Sequence, residues 1–319
     1  MNIVRDWRIA RLQKTAVAIG VFDGVHRGHR AILNAAVSAA RRNGLTPVAL
    51  TMDPHPSSVL RPDHPTRLLY SLNHRLQLIE ESGIKTVVVL KFTPAFARIT
   101  AADFMCRILI ERMGAKAILV GGNFRFGRGA EGDVNFLKKE AIPLGCAVRA
   151  IAPVRLDGTA VSSSRVREAV AGGDLDTATR LLGRPYGLLG EVVRGDGRGR
   201  SLGFPTLNLC LDHELLPPPG VYAVWARTGD RCYPGVFHLG PRPTFDSAVL
   251  RAECHLLADP GRSLYGKRFE LIPVKYLRGV RKFKGPEALA AQIRRDINFA
   301  LPALQRPPKR VYYFLHKGR

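Results

Sequence analysis

The sequence predicts two units: an α/β unit with a parallel sheet and helices on both faces, then a small antiparallel β-barrel with a C-terminal helix. Three observations predict it. The 319 residues exceed a single core of about 150 residues, so roughly two domains are expected. Before residue 183, short apolar runs alternate with stretches of helical period, the signature of βαβ units. After Gly183-Arg184-Pro185 the runs become short and β-rich, separated by Gly, Pro and Asp-Gly turns. The expected boundaries are 1–183, 184–305 and a basic, loosely packed tail at 306–319.

The elements follow in order. AVAIGVF (16–22) is an apolar strand that runs into Asp23-Gly24, and apolar residues at helical spacing predict a helix over His29–Arg42. Asn43-Gly44 stops that helix, and LTPVALTMD (45–53) is the next strand. A helix over Leu72–Ser82 ends at Gly83, before the buried strand TVVVLKF (86–92). Ala101–Met113 is helical, and AKAILVGG (115–122) is a buried strand entering a Gly-rich loop. Two short helices, Ser163–Ala171 and Asp174–Leu182, close the half, the second capped by Asp174. In the second half LLGEVV, GVYAVWA, GVFHLG, LRAECHLL and KRFELIPVKYL are strands. Pro286–Phe299 is a helix with Leu289, Ile293 and Ile297 on one face.

Composition narrows the class. Hydrophobic residues at 46% and charged residues at 24% exclude a disordered, collagen-like or disulfide-scaffold chain. No apolar run approaches the roughly 18 residues of a membrane helix, and the Arg-rich start reads as mature sequence without signal or transit peptide. Cys106, Cys146, Cys210, Cys232 and Cys254 form no CxxC pair, which suits reduced thiols in a cytoplasmic protein. The net charge is +23, with 26 basic and 15 acidic residues in 1–183 and 23 and 11 in 184–319. A positive field this diffuse attracts polyanions without choosing between nucleotides and nucleic acid.

GVFDGVHRGHR (20–30) sits where a parallel strand ends and a helix begins, so a ligand there meets free N–H groups and the positive end of the helix dipole. Gly20, Gly24 and Gly28 allow close approach to phosphate, and His26 and His29 can both donate to one triphosphate. A bare helix cap is the structural alternative. The H-x-G-H spacing after Phe22-Asp23-Gly24 resembles the signature of the α/β nucleotidyltransferases, which have Rossmann-like domains. TMDPHPSSVL (51–60), GGNFRFGRGAEGD (121–133) and VSSSRVR (161–167) follow in the order found in the FMN adenylyltransferase module of bacterial FAD synthetases. The resemblance implies that Gly20, Phe22, Asp23, Gly24, His26, His29, Ser163, Ser164 and Arg167 contact ATP, with Ser164 in place of the usual Thr. It also implies that Pro54, Pro56, Asn123 and Phe126 line a flavin pocket.

In the second half, GRPYGLLGEVVRGDGRGRSLGFPTLNL (183–209) interleaves Gly195, Gly197 and Gly199 with Arg194, Arg198 and Arg200, a loop suited to a phosphate chain or to a plain hairpin turn. Thr206 and Asn208 are two apart on an extended segment and share a face, where two neutral oxygens fit a Mg2+ site completed by ATP phosphates. The stretch resembles the riboflavin kinase module. The resemblance implies ATP or flavin contacts from Gly195, Gly199, Arg200, Gly203, Pro205, Thr206, Asn208 and Arg278, with Thr206 and Asn208 as metal ligands. Glu253 in AECHLL reads from the residues alone as either a solvated edge residue or a site residue; the resemblance makes it the general base. Leu207, His238, Gly279-Val280 and Ala258-Asp259 depart from that family's pattern, Leu207 by adding bulk beside the metal site.

The expected function is therefore phosphorylation of riboflavin to FMN and adenylylation of FMN to FAD, with ATP as co-substrate and Mg2+ as cofactor. One alternative keeps only the adenylyltransferase half active. Another is a basic nucleic-acid-binding protein, against which stand the diffuse charge, 8% aromatics and the lack of a recognised binding motif. Small-molecule partners are expected, with no membrane and no specific nucleic acid; an oligomer remains open.

Overall fold

The computed structural model describes residues 1–195, 199, 202–241 and 250–308. Arg200, Gly197, Arg198 and most of the tail lie outside them. The chain divides into two compact units, Met1–Ser163 and Ser164–Arg319.

The first unit holds a six-stranded sheet in which every pairing is parallel. Its strands are β1 (Asn2–Val4), β2 (Thr15–Ile19), β3 (Thr46–Asp53), β4 (Thr86–Lys91), β5 (Ala115–Gly121) and β6 (Ala147–Ile151), in the order β1-β4-β3-β2-β5-β6. All five residues of the central β2 are buried, as a strand covered on both faces requires. The helices are α1 (Arg27–Asn43), α2 (Pro56–Leu60), α3 (Leu72–Glu81), α4 (Ala101–Asp103, winding on with π-type hydrogen bonding over Phe104–Arg112) and α5 (Val134–Ala141). Val17, Ile19, Val48, Leu50, Val88 and Leu90 join Phe104, Ile108, Ile118 and Leu137 in one core.

α1 starts two residues before the expected His29, because His26 caps it: the His26 Nδ1 accepts the His29 N–H. It buries Ile32, Leu33, Ala36, Ala39 and Ala40 and ends at Gly44, whose left-handed φ of 61° returns its N–H to the Ala40 carbonyl. The sequence reading passed over β1, α5 and β6. β1 and β6 edge the sheet with alternating or partial exposure, and α5 is an eight-residue helix carried by its Asp133 cap rather than by a long apolar stripe.

The order of the strands positions a site. Chain from β2 crosses by α1 to β3 on one side, whereas chain from β5 crosses by α5 to β6 on the other. The carboxyl ends of β2 and β5 therefore flank the crevice where connections diverge, the place open α/β sheets bind ligands. Beside it, Arg75 of α3 has no exposed surface and donates to the Val21 carbonyl (2.9 Å), the Met52 carbonyl (3.2 Å) and Asp53 Oδ1 (3.0 Å).

α6 (Ser163–Ala171) starts at the last residue of the first unit and its remainder opens the second, followed by α7 (Leu175–Leu182), which is capped by Asp174 on the Thr177 N–H and ended by left-handed Gly183. Beyond the short antiparallel pair β7 (Arg155–Leu156) and β8 (Thr159–Ala160) of the first unit, strands β9 (Leu188–Val193), β10 (Thr206–Leu211), β11 (Gly220–Thr228), β12 (Arg231–Pro241), β13 (Leu250–Leu256) and β14 (Arg268–Arg278) close into a barrel in the order β10-β13-β12-β11-β14-β9. Tyr222, Phe237, Cys254, Phe269 and Leu271 are fully buried. The opposite face of the strands carries Val221, Ala223, Trp225 and Ile272, packed with Ala300 and Ile297 of α8 (Pro286–Ala300). Within α8 the buried residues are Asp296 and Ala300, while the expected stripe residues Leu289 and Ile293 stay half-exposed. The helix is seated by an ion pair: Arg278 donates from Nε and Nη2 to the Asp296 carboxylate at 2.7–3.1 Å.

Two expectations follow. Replacing Arg75 by Leu takes a donor from the Val21 and Met52 carbonyls and from the Asp53 carboxylate, the Val21 carbonyl keeping Thr51 Oγ1, and should cost about 2–4 kcal/mol, read as a lower denaturant midpoint for the first unit. In the second unit, burial depresses the His238 pKa, the charges of Arg278 and Arg251 adding to this and those of Glu253 and Asp296 opposing it. The unfolded chain then binds the extra proton, so this contribution to stability is intact above the ordinary value near 6.5 and is lost as pH falls below it. Unfolding scans should show His238→Asn losing less stability than wild type on acidification.

Candidate active sites

The turn after β2 is strained where it meets the crevice. Phe22 (φ 54°) and Val25 (φ 37°) carry side chains in the left-handed region, a conformation that persists only when the surroundings impose it. Phe22 is fully buried, its ring edge-on to His29 with centroids 5.4 Å apart. His26 and His29 stack at 3.7 Å with planes 16° apart. Gly28 lies close against that stack: a Cβ there would stand 3.1 Å from His26 Cε1 and press on the ring. The spacing of the two histidines and the glycine between them thus form one geometric unit. His26 is both the helix cap and a member of the pair.

Asp23 is placed differently from its neighbours. Its carboxylate is buried and accepts the Leu69 N–H (3.1 and 3.2 Å) and the Tyr70 N–H (3.3 Å), tying the segment before α3 to the turn. Its carbonyl accepts from Ser163 Oγ at 2.9 Å, so Ser163, the last residue of the first unit, stands at the same turn. Ser164 and Arg167, one helical turn apart on α6, share a face of that helix.

Pro54 is exposed at the end of β3 and Pro56 opens α2. Asn123 is exposed just past β5. Phe126, by contrast, is 6% exposed and enclosed by Phe104, Phe124 and Phe136. Phe124, half-buried and stacked on it at 5.3 Å, is the more accessible ring of this cluster.

The barrel brings its expected residues into one row. Asn208 of β10 is the register partner of Glu253 of β13, Glu253 of His238 of β12, His238 of Val221 of β11, and Val221 of Arg278 of β14. Register partners share a face, here the face on which α8 lies. Thr206 joins it two residues before Asn208. Leu207 pairs with the fully buried Cys254, so its bulk lies on the opposite face from Thr206 and Asn208. That corrects the expectation that it crowds their oxygens. Gly195 and Gly199 complete the arrangement: a Cβ on Gly195 would collide with the Asn208 carboxamide, and one on Gly199 would stand 3.0 Å from Thr206 Oγ1. Gly203 (φ 80°) and exposed Pro205 bound the intervening turn.

Arg251 Nη1 donates to Glu253 Oε1 at 3.3 Å, two residues away on the same face of β13. Cys254 between them points inward, and burial pushes its thiol up to about 12, too high for a nucleophile. All five cysteines are free thiols. Arg75, Arg251 and Asp296 escaped the sequence reading. The i, i+2 spacing of Arg251 and Glu253 was available as a signal; nothing local marked Arg75 or Asp296. Among the described residues, no group of three or more His, Cys, Asp or Glu stands together to hold a metal, and no helix is long and apolar enough to cross a membrane.

Comparison with known proteins assigns both units. Residues 8–165 match the family model described as FAD synthetase, and residues 182–304 match that of riboflavin kinase. A protein of Escherichia coli K12 named bifunctional riboflavin kinase/FMN adenylyltransferase is 36% identical over 281 residues, covering 88% of this chain and 90% of its own. Its namesake from Bacillus subtilis 168 is 34% identical over 288 residues, covering 89% and 90%. A crystal structure described as a macrolide-efflux protein from Streptococcus pneumoniae superposes with a TM-score of 0.84 at 28% identity, covering 94% of this chain and 98% of that one. With both modules present in order and relatives aligned across nearly their full length, the chain belongs to the family of bifunctional riboflavin kinase/FMN adenylyltransferases.

Proposed function

We propose that the first domain, to about residue 183, adenylylates FMN, and that the barrel beyond it phosphorylates riboflavin, both from ATP. The observation that carries this reading is the pairing of two intact constellations: the stacked His26–His29 pair at the strand crevice, and the Asn208–Glu253 row on the barrel. Intact geometry on the barrel, with Leu207 turned away, favours an active kinase over a degraded one.

In the adenylyl transfer, an FMN phosphate oxygen attacks the α-phosphorus of ATP and pyrophosphate leaves. The phosphate is already anionic, so no side chain has to remove a proton, and the site must instead neutralise charge on the α-phosphate and the leaving group. His26, His29, the N–H groups that open α1, and Ser163 supply donors for this. Pro54, Pro56 and Asn123 take the flavin side, with Phe124 and Phe126 as its aromatic wall.

In the kinase step the acceptor is a neutral 5′-hydroxyl. Glu253 takes its proton as the oxygen attacks the γ-phosphorus, and ADP leaves. Gly195 and Gly199 lie against Asn208 and Thr206 so closely that a side chain at either position would have to displace them. The residues present fit Mg2+ brought in with ATP: Thr206 and Asn208 would hold it through neutral oxygens, the phosphates completing its shell. When bound, Mg2+ supplies neutralisation of phosphate charge.

His29→Ala should lower FAD formation from FMN by about 10²–10³-fold without loss of fold; near-normal turnover would refute the site. Glu253→Gln should lower FMN formation from riboflavin by about 10²–10⁴-fold while FAD still forms from supplied FMN. Chromatographic separation of flavins after incubation with ATP and Mg2+ reads both outcomes.

A further inference from the structure

We infer that Arg251 is a positioning residue for the phosphoryl transfer, holding one carboxylate oxygen of Glu253 so that the other faces the acceptor hydroxyl. The inference rests on the reading of Glu253 as general base. Arg251 is the one hydrogen-bonding partner of the Glu253 carboxylate among the described residues, at 3.3 Å to Oε1, and the two side chains are 23% and 27% exposed. A glutamate has three rotatable side-chain bonds, and a base must lie within hydrogen-bonding reach of the proton it takes. Tethering Oε1 to a residue two positions away on the same strand removes most of that freedom before substrate arrives, which is how positioning lowers a barrier.

The neighbouring cations do not compete for this carboxylate. Arg278 is committed to Asp296 through three contacts and donates from Nη1 to the Gly279 carbonyl. His238, the cross-strand partner of Glu253, faces Glu253 and Arg251 from β13, Arg278 from β14 and Asp296 from α8, and burial favours its neutral form. Arg251 is therefore the cation that sets where the Glu253 carboxylate points. In the step itself the hydroxyl O–H bond breaks and its proton passes to Glu253 Oε2. The oxygen–phosphorus bond forms as the bond from the γ-phosphorus to the bridging oxygen breaks, its electrons leaving with ADP. The partial exposure of Glu253 lets that proton pass on to water.

The test is a double-mutant cycle on the full-length chain, measuring kcat and KM for FMN formation from riboflavin and ATP, with thermal unfolding of each variant. Arg251→Gln should lower kcat about tenfold with KM for ATP within about twofold, and Arg251→Lys should restore most of the loss. In the Glu253→Gln background, Arg251→Gln should change the residual rate by less than about twofold, because its effect runs through the carboxylate. An equal loss in both backgrounds would make Arg251 a support of β13 only and overturn the inference. So would an unchanged kcat in Arg251→Gln beside an inactive Glu253→Gln. Full activity of Glu253→Gln would overturn the base assignment itself, and the inference with it.

Discussion

A guanidinium with no exposed surface organises the first unit. Arg75 reaches from α3 to carbonyls at the ends of β2 and β3 and to the Asp53 carboxylate, so two parallel strands and a helix converge on one charge. A buried cation is costly unless it is paired and hydrogen-bonded, and here the groups that answer Nη1 and Nη2 are the strand ends that border the crevice. Asp23 mirrors it with opposite charge, accepting the amides of Leu69 and Tyr70 just ahead of α3. The turn bearing the histidine pair is thus anchored from beneath. Its left-handed Phe22 and Val25 are held by packing and buried polar contacts rather than by local preference.

The barrel solves a similar problem by register. A closed sheet leaves no edge to slip along, so the pairing that sets Asn208 opposite Glu253 and Glu253 opposite His238 is imposed by the whole circuit of strands. α8 adds to this from one side: Arg278 at the end of β14 grips Asp296, which seats the helix on the face that carries the row. The polar anchor explains why the apolar stripe expected for α8 is only partly used.

Much of this was legible in the residues because period and punctuation are local properties. The buried strands, the capped α1 and α7 and the change of texture at Gly183 all follow from patterns a few residues long. The histidine pair and the segment carrying Thr206 and Asn208 were legible for the same reason. β1 and β6 were not, because an edge strand's burial comes from a partner distant in sequence. Asp23 shows what a local motif leaves unsaid: its carboxylate holds the backbone of residues 69 and 70, a contact that nothing near it in sequence marks. Phe126 likewise sits inside an aromatic cluster, with Phe124 outermost. Arg75 and Asp296 had no signature at all, since what makes each matter is a counter-group 22 and 18 residues away in the chain.

The cap on α1 has a consequence for hydrogen placement. With Nδ1 of His26 accepting the His29 amide, a neutral imidazole must carry its hydrogen on Nε2. Winding the first turn of the helix and arming the ring's outer nitrogen are then a single tautomeric choice. A serine or asparagine at this position would start the helix equally well yet leave no ring to stack on His29. The helix cap and the hydrogen on Nε2 are thus coupled through this one ring.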